Sequence, residues 1–388
     1  MQLVLSLVFD VTLAPEAWLN YGDLTWPEVA ALPRDTPLVL PLGSGYDLEE
    51  VGRQIGAGPI CWLPAIPYGW AGSLLPVAPA VFDRALAGIL SAPLEDGFQR
   101  IVVLTPSDSI GLPASVERLI TPALAPGGGR PRRISRERVM LIPVGHTEQH
   151  GLHLPMNTDT VIIGAIAEGV VEIIPAEAEA LPAFPYGVST HRRSFAGTFN
   201  MGGRAFEDFQ LAVIGRLVEA GADRMYLMSG HGGNGSFLVN VVKYAGERFP
   251  GAFSTTAYLH TSGKIGVRAL EQYRRSGRGG MGHACELETS LMLHLRPELC
   301  RMERAVDEID FIATENYYMD WVEGGELIAN PPWEDDTRTG AYGAGTLATA
   351  ENGVRWLAAA IEEKIAHVHE IHEQQNRRLS RRAQASQR

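Results

Sequence analysis

Residue types that bind divalent metal ions occur at four places in the later part of this 388-residue chain. They are a Glu-x-His pair, an aspartate shortly after it, a histidine in a glycine-rich turn, and a histidine that begins a run with two glutamates: Glu148, His150, Asp159, His231, His283, Glu286 and Glu288. Imidazole nitrogens and carboxylate oxygens in this mixture suit Zn²⁺, Mn²⁺ or Fe²⁺. An ion with an open coordination position lowers the pKa of bound water to about 7 and polarises a carbonyl group. The set therefore indicates metal-assisted hydrolysis.

Each of these residues also has a structural interpretation. A Glu-x-His pair is common on loop surfaces, and Gly-His-Gly-Gly-Asn is typical of a tight turn that begins a helix. Asp159 could cap the apolar helix that follows it. Glu286 and Glu288 could be ion-paired groups of a helix. The occurrence of all of them together, after predicted strands, favours the metal site.

Short apolar strands that alternate with helices are expected to position these side chains. Residues 101–104 and 225–228 have the apolar runs of buried strands, whereas 205–220 and 235–247 have a helical pattern. The alternation predicts an α/β fold with three layers, α/β/α, around a mainly parallel sheet. In such sheets ligands bind beyond the carboxyl ends of the strands, and the polar clusters fall there.

Three landmarks recur in the same order on both sides of a segment rich in Gly, Pro and Arg. A strand ending in Pro-x-Gly occurs at 38–43 and 140–145, a Leu-Pro-Ala-x-Pro-Tyr-Gly motif at 63–69 and 181–187, and a helix end followed by a strand at 97–106 and 221–230. We interpret this as a duplicated domain, although such strands could also recur by chance. The predicted boundaries are a degenerate repeat at 1–124, a linker at 125–136, and a metal-binding catalytic domain with a C-terminal helix at 137–388.

The first repeat lacks the candidate ligands. The first landmark and the second are 20 positions apart in the first repeat (43 to 63) and 36 positions apart in the second repeat (145 to 181). The first repeat is therefore 16 residues shorter here, and the extra stretch of the second repeat contains Glu148, His150 and Asp159. Thr105-Pro-Ser-Asp stands where the second repeat has Ser229-Gly-His-Gly, and residues 1–145 contain no histidine. The first repeat is therefore predicted to be chemically silent.

Composition limits the classes of partner. The net charge of −12 and the pI near 5.4 argue against a nucleic-acid surface and favour a small-molecule substrate. No apolar run approaches the roughly 18–20 residues of a membrane span. The three cysteines are too scattered for a disulfide framework, which favours the cytoplasm. The first 18 residues lack the basic start of a signal peptide and are expected to form a buried strand.

Together the motifs resemble those of the creatininase (creatinine amidohydrolase) family over roughly residues 137–365. The resemblance is carried by residues 143–159, by Ser229-Gly-His-Gly-Gly-Asn234, by His283-Ala-Cys-Glu-Leu-Glu-Thr-Ser290, and by 339–350. It implies metal binding by Glu148, His150, Asp159 and His231, with Asp159 bridging two ions. It also implies that His283 is the catalytic histidine that shuttles a proton.

The fifth ligand departs from the creatininase pattern. Gly233 stands where creatininase itself has a carboxylate ligand. Family members with the Gly-His-Gly-Gly-Asn form carry a glutamate three residues after the later histidine. The resemblance therefore implies Glu286 as the fifth ligand and a member of the catalytic set, with Glu288 as a supporting group. Two ions of Zn, Mn or Fe are expected, and a single ion is the alternative.

The resemblance implies hydrolysis of a non-peptide C–N bond in a small cyclic amide or formamide. Metal-bound water would attack the polarised carbonyl, and His283 would protonate the leaving nitrogen. The tryptophans that close over creatinine in creatininase are replaced near Leu259 and Gly279, so creatinine itself is not the expected substrate. The alternatives are a hydrolase that opens an oxidised cyclitol ring at a C–C bond, and a non-catalytic metal-stabilised binding protein.

Four residues are candidates for substrate binding: Tyr186, His191, Asn234 and His260. His191 precedes two arginines in a loop that could bind an anionic substrate or could simply be solvated. His260 could line the pocket or belong to the core. The family resemblance also implies a homo-oligomer, in which the silent repeat could take the place of a neighbouring subunit.

Overall fold

The structure is a computed structural model that describes residues 18–56, 58–121, 135–190 and 194–387. Two parallel sheets, one small antiparallel sheet and the helices around them make up these residues. This arrangement confirms the predicted α/β class with mainly parallel strands. The strand expected at the N-terminus and most of the expected linker lie outside the described residues. Within the described residues, no helix combines the length and apolar character needed to cross a membrane.

The first half of the chain, residues 18–121, contributes a parallel sheet. Its strands are β1 Trp18–Asn20, β2 Leu38–Pro41, β3 Ile60–Trp62, β4 Ile101–Thr105 and β5 Glu117–Ile120, and its helices are α1 Trp26–Ala31, α2 Leu48–Ile55 and α3 Pro79–Glu95. The strand order is β1-β3-β2-β4-β5. Every residue of β2 and β4 is buried, as expected for parallel strands that are covered on both faces.

The second half, residues 135–387, contributes a second parallel sheet and the long C-terminal helix. Its strands are β6 Val139–Val144, β7 Ala178–Ala180, β8 Arg224–Ser229, β9 Phe253–Thr256, β10 Met281–His283, β11 Asp307–Glu308 and β12 Tyr342–Ala344. Its helices are α4 Thr158–Ile173, α5 Gly203–Glu219, α6 Gly235–Arg248, α7 Lys264–Tyr273, α8 Glu286–Leu295 and α9 Ala350–Ala385. Strands β7-β6-β8-β9 form the parallel sheet, and β10-β12-β11 form the antiparallel one.

Four of the five strands of the first parallel sheet have the same order and register as the four strands of the second. The order β3-β2-β4-β5 corresponds to β7-β6-β8-β9. Pro41 of β2 pairs with Leu104 of β4, and Pro143 of β6 pairs with Met228 of β8. These are equivalent positions when the two halves are aligned on the sequence landmarks.

The segments that follow the central strands β2 and β6 make the same backbone hydrogen bond in both halves. The amide of Gly43 donates to the carbonyl of Ile66 at 2.9 Å, and the amide of Gly145 donates to the carbonyl of Phe184 at 2.9 Å. Both contacts lie between the first landmark and the second. The duplication of the domain stays a prediction, and this shared geometry is the support that it receives.

One hydrophobic core contains side chains from both halves. Phe82 of α3 and Phe209 of α5 are both buried in it, and Tyr68 stacks on Phe209 with ring centroids 6.3 Å apart. Gly69, with a φ of 104°, is required here because a Cβ atom would lie 2.5 Å from the Phe209 ring. Burial of each large apolar side chain stabilises the fold by about 1.5–3 kcal/mol. The halves therefore stabilise each other, whereas the predicted homo-oligomer stays a prediction.

Candidate metal centre

The candidate ligands lie where strands end and helices begin in the second sheet. Glu148 and His150 follow β6, and His231 follows β8. Asp159 lies in the first turn of α4, and Glu288 lies in the first turn of α8. The carboxyl ends of parallel strands meet at one edge of the sheet, so residues far apart in sequence come together there.

Two glycines allow α4 to approach these strand ends closely. A Cβ atom on Gly145 would lie 2.5 Å from the Cα atom of Thr160, and one on Gly230 would lie 2.4 Å from the carbonyl oxygen of Asp159. Real Cβ atoms essentially never come so close to backbone atoms. The glycine that ends each of these two landmarks therefore serves to place the helix that carries Asp159.

Asp159 faces a different histidine with each of its carboxylate oxygens. Oδ1 lies 3.0 Å from Nε2 of His150, and Oδ2 lies 3.3 Å from Nδ1 of His231. Oε1 of Glu148 lies 3.0 Å from Nδ1 of His231, and Oε1 of Glu288 lies 3.9 Å from Nε2 of His150. None of the five residues is more than 3% exposed. They form one buried cluster, which we call the metal cluster.

Backbone carbonyls orient both imidazoles. Nδ1 of His150 lies 3.1 Å from the carbonyl oxygen of Glu148, and Nε2 of His231 lies 2.9 Å from the carbonyl oxygen of Val188. When these nitrogens donate to the carbonyls, the other ring nitrogen of each histidine presents its lone pair to the cluster. Such outer contacts set the tautomer of histidines that ligate metal ions.

The electrostatics of the metal cluster favour a cation. Burial alone would lower the pKa of His150, but Asp159, Glu288 and Glu148 raise it to about 9. Burial likewise opposes protonation of His231, whose pKa the carboxylates of Glu148 and Asp159 raise to about 9. The carboxyl of Asp159 is held well below its usual pKa, because the two histidines outweigh the effect of burial.

The donor set also fits a divalent ion. Three overlapping groups have ligand atoms within 4.8 Å of one another: His146, Glu148 and His231; Glu148, His150 and His283; and His150, Asp159 and Glu288. Imidazole and carboxylate donors in this ratio suit Zn²⁺, Mn²⁺ or Fe²⁺. A bound cation would balance the buried carboxylates that otherwise keep two imidazoles protonated.

Glu286 does not join the metal cluster, which corrects the expectation from the sequence. Its Oε1 accepts the amide of Arg275 at 2.9 Å, and its Oε2 accepts the amide of Ser276 at 2.8 Å. The carboxylate thus closes the turn between α7 and β10. The glutamate of α8 that faces the cluster is Glu288, which had been expected only to support it.

His283, the expected proton shuttle, lies beside the metal cluster. Its ring lies 4.3 Å from that of His150, centroid to centroid, and its Nδ1 is 3.8 Å from Oε1 of Glu148. Its Nε2 is 2.8 Å from the carbonyl oxygen of Gln149. The next residue, Ala284, has a φ of 48°, a left-handed conformation that is unusual for alanine. This kink turns the chain from β10 into α8.

Two residues near the cluster had not been predicted. The His146 ring lies 4.5 Å from the ring of His231, and its Nδ1 accepts the amide of Gly187 at 2.8 Å. Trp333 lies edge-on to His283 with ring centroids 5.0 Å apart. His146 could have been noticed in the run before Glu148, whereas Trp333 comes from an irregular segment without a sequence pattern.

Two of the predicted substrate-binding residues use their polar atoms within the protein. The hydroxyl of Tyr186 donates to the carbonyl of Pro64, and its ring lies in the shared core. Oδ1 of Asn234 accepts the amide of Val188, and its Nδ2 donates to the carbonyl of Gly145. Both side chains are fully buried. The structure therefore gives them a packing role, which corrects the expectation.

Of the other two predicted substrate-binding residues, the structure describes only His260. His260 is 1% exposed, and its Nδ1 lies 3.1 Å from Oγ1 of Thr261. Burial, followed by the charge of Lys364, lowers its pKa to about 4. These are the properties of a core histidine, which was the alternative interpretation. His191 lies outside the described residues.

Comparison with known proteins identifies the family. The family model for creatininase, described as creatinine amidohydrolase, matches residues 131–368. The chain belongs to the creatininase family. This confirms the family inferred from the motifs, and with it a metal-dependent amidohydrolase. The match begins after residues 18–121, which form the first parallel sheet and its helices.

Curated creatininase relatives have several activities. The mycofactocin precursor peptide peptidase of Mycobacterium tuberculosis is 31% identical over 247 residues, which are 59% of this chain and 84% of that protein. The creatinine amidohydrolase of Pseudomonas putida is 32% identical over 180 residues, which are 44% of this chain and 68% of that protein. The 3-dehydro-scyllo-inosose hydrolase of Thermotoga maritima is 26% identical over 248 residues, covering 59% and 76%.

Solved creatininase structures share the fold. A manganese form of creatininase superposes with a TM-score of 0.51 at 25% identity, covering 60% of this chain and 91% of that one. A zinc–zinc form of a creatininase variant has a TM-score of 0.50 at 25% identity, covering 60% and 90%.

Proposed function

We propose that this creatininase-family enzyme hydrolyses the C–N bond of a small amide at a centre of two divalent ions. The observation that carries the proposal is the position of Asp159, whose two carboxylate oxygens face His150 and His231 separately. A carboxylate in this position can bridge two ions. The substrate that we propose is a cyclic amide or a formamide.

Each ion would have its own histidine and its own glutamate. His231 and Glu148 lie on one side of Asp159, and their ligand atoms are 3.0 Å apart. His150 and Glu288 lie on the other side, with ligand atoms 3.9 Å apart. With Asp159 shared between them, each ion would have one nitrogen donor and two carboxylate donors. Glu288 replaces Glu286 in the proposed ligand set.

In the proposed mechanism, divalent ions supply Lewis acidity, which polarises the amide carbonyl and lowers the pKa of water. Hydrolysis joins the water oxygen to the carbonyl carbon, breaks the C–N bond and requires a proton on the leaving nitrogen. We propose that His283 takes the proton that the attacking water loses and delivers it to that nitrogen. Its Nε2 is engaged with the carbonyl of Gln149, so Nδ1 is the nitrogen that holds and transfers the proton.

A short peptide is the second candidate substrate. It is favoured by the similarity to the mycofactocin precursor peptide peptidase, which spans 84% of that protein. The same centre would serve, because the reacting group in a peptide is also an amide. The two candidates differ in what surrounds the bond and not in the chemistry.

The test combines metal analysis with a substrate panel. Mass spectrometry should find about two ions per wild-type chain and fewer in Asp159→Asn, with Glu286→Gln as the control that keeps them. The panel contains cyclic amides, formamides, dipeptides and oxidised cyclitols. Full activity of the metal-free protein would overturn the proposal, and turnover of cyclitols alone would change the bond to C–C.

A further inference from the structure

His283 and the proposed metal ligands come from different sheets. Glu148 and His150 follow β6 of the second parallel sheet, whereas His283 ends β10 of the small antiparallel sheet. Proton transfer by a side chain requires a hydrogen-bond distance of roughly 2.6–3.2 Å in the reacting complex. A small shift between the two sheets would therefore take His283 out of reach of its target, and the sheets need a link close to it.

The side chain of Gln149 makes such a link. Its Nε2 donates to the carbonyl of Gly340 at 2.9 Å, and its Oε1 accepts the amide of Gly151 at 3.0 Å. Strand β12, which begins two residues after Gly340, pairs with β10. Gln149 is fully buried and lies between two proposed ligands in the chain. One residue thus joins the loop of the proposed ligands to the sheet that carries His283.

The backbone partners allow only one orientation of this side-chain amide. A carbonyl oxygen can only accept a hydrogen bond and a backbone N–H can only donate one. The nitrogen of the Gln149 side chain must therefore face Gly340, and its oxygen must face Gly151. Gly340 has a φ of 88°, and a Cβ atom there would overlap with Oε1 of Gln149. Glycine at position 340 is what allows the two segments to approach each other.

The main chain of the same residue orients the ring of His283. The carbonyl oxygen of Gln149 lies 2.8 Å from Nε2 of His283, so this nitrogen carries a proton. The other ring nitrogen, Nδ1, lies 3.8 Å from Oε1 of Glu148 and 4.0 Å from Oε2 of Glu288. Nδ1 therefore faces the metal cluster for as long as the carbonyl of Gln149 stays in place.

We propose that Gln149 is a positioning residue that holds His283 for proton transfer at the metal cluster. Its side chain ties the start of β12 to the loop of the proposed ligands, and its carbonyl determines which nitrogen of His283 faces them. The inference rests on the proposed function, in which His283 is the proton shuttle. Gln149 is not itself a proposed ligand, so its effect on the reaction passes through His283.

Gln375 provides a matched control. It is also fully buried, and its Nε2 donates to the carbonyls of Asp223 and Gly251 at 3.0 Å each. These two residues precede β8 and β9, at the opposite end of the second parallel sheet from the metal cluster. Gln375→Met should therefore remove similar hydrogen bonds, and lower the melting temperature, without changing the reaction.

The first test measures the kinetics of the metal-loaded protein with an alkyl amide. Gln149→Met should lower kcat at least tenfold and leave KM and the metal content unchanged, whereas Gln375→Met should change none of the three. When Gln149→Met is added to His283→Gln, kcat should fall by less than about twofold more, because a residue that acts through His283 has no effect in its absence. A wild-type kcat in Gln149→Met, or a further tenfold loss in the double variant, would overturn the proposal.

The proton on the His283 ring separates this proposal from the proposed function. Nuclear magnetic resonance of the zinc-loaded protein with isotope-labelled histidine locates that proton, and the signal of His283 is the one that His283→Gln removes. The proton should lie on Nε2 in the wild type and should exchange with water at least tenfold faster in Gln149→Met, but not in Gln375→Met.

Each result of this measurement decides one of the two proposals. A proton on Nδ1 of His283 in the wild type, or equal exchange in Gln149→Met, rejects the positioning role. The wild-type result requires no variant of Gln149 to fold. The expected ring signals without hydrolysis of any amide would reject the function and keep the role of Gln149 in orienting His283.

Discussion

Glu286 and Glu288 lie two residues apart on α8, and their carboxylates face different surroundings. Glu286 accepts the amides of Arg275 and Ser276, and Glu288 faces His150 in the metal cluster. Residues two positions apart on a helix point in nearly opposite directions, because each residue turns the helix by about 100°. The structure thus separates a turn-stabilising carboxylate from a metal-facing one.

Removing each carboxylate should have a distinct effect. Glu288→Gln should lower the metal content from about two ions per chain to about one. Glu286→Gln should keep the metal but lower the free energy of unfolding by about 1–3 kcal/mol, since it weakens charge-assisted hydrogen bonds to backbone amides. Mass spectrometry and thermal melting measure the two effects. If Glu286→Gln loses an ion while Glu288→Gln keeps both, the ligand assignment is reversed.

His283 should affect the chemical step without affecting metal binding. We expect His283→Gln to lower kcat about 10²–10⁴-fold, the usual contribution of a general acid, with an unchanged metal content. The loss should be smaller for an anilide, whose leaving nitrogen needs less protonation, than for an alkyl amide. Steady-state kinetics on the two substrates provide the measurement. An equal loss on both would mean that His283 does not protonate the leaving group.

The catalytic half should not fold by itself. A chain that begins at residue 135 would expose Phe206, Phe209 and other side chains of the shared core. Exposure of each such side chain lowers the free energy of unfolding by about 1.5–3 kcal/mol. We expect this chain to be insoluble or to lack cooperative unfolding. In the whole protein, tryptophan fluorescence and enzymatic activity should be lost at the same urea concentration. A soluble, active fragment would contradict this expectation.

His260 should make the protein less stable in acid. Its folded pKa of about 4 is below the ordinary value of 6.5, so the unfolded chain binds a proton that the folded chain does not. Its stabilising effect is complete above about pH 6.5 and is lost as the pH falls from there toward 4. The free energy of unfolding should fall by about 2–3 kcal/mol over this range. The free energy of unfolding, measured with urea, should differ less between pH 4.5 and pH 7 in His260→Gln than in the wild type.

The general location of the site could be predicted from the sequence, since it depends on topology. Glu148, His150 and His231 follow strands, and parallel strands bring their carboxyl ends to one edge. The choice between Glu286 and Glu288 could not be predicted, because it depends on which face of α8 meets the turn after α7. Trp333 was missed because its segment has no periodic pattern that would place it beside His283.

Tyr186 illustrates a second limit. Its position in a landmark next to the site suggested contact with a substrate, but its hydroxyl reaches Pro64 in the other half of the chain. Such a contact joins residues 122 positions apart, and no local spacing in the sequence reveals it. Packing between the halves decides the role of this side chain.

The core that Phe82 and Phe209 share also determines how the enzyme responds to dilution. A site built between separate subunits is lost when the concentration falls below their dissociation constant. Here both halves of the shared core belong to one polypeptide, so each half meets the other at a fixed effective concentration. Specific activity should therefore stay constant down to the lowest concentrations at which turnover can be followed.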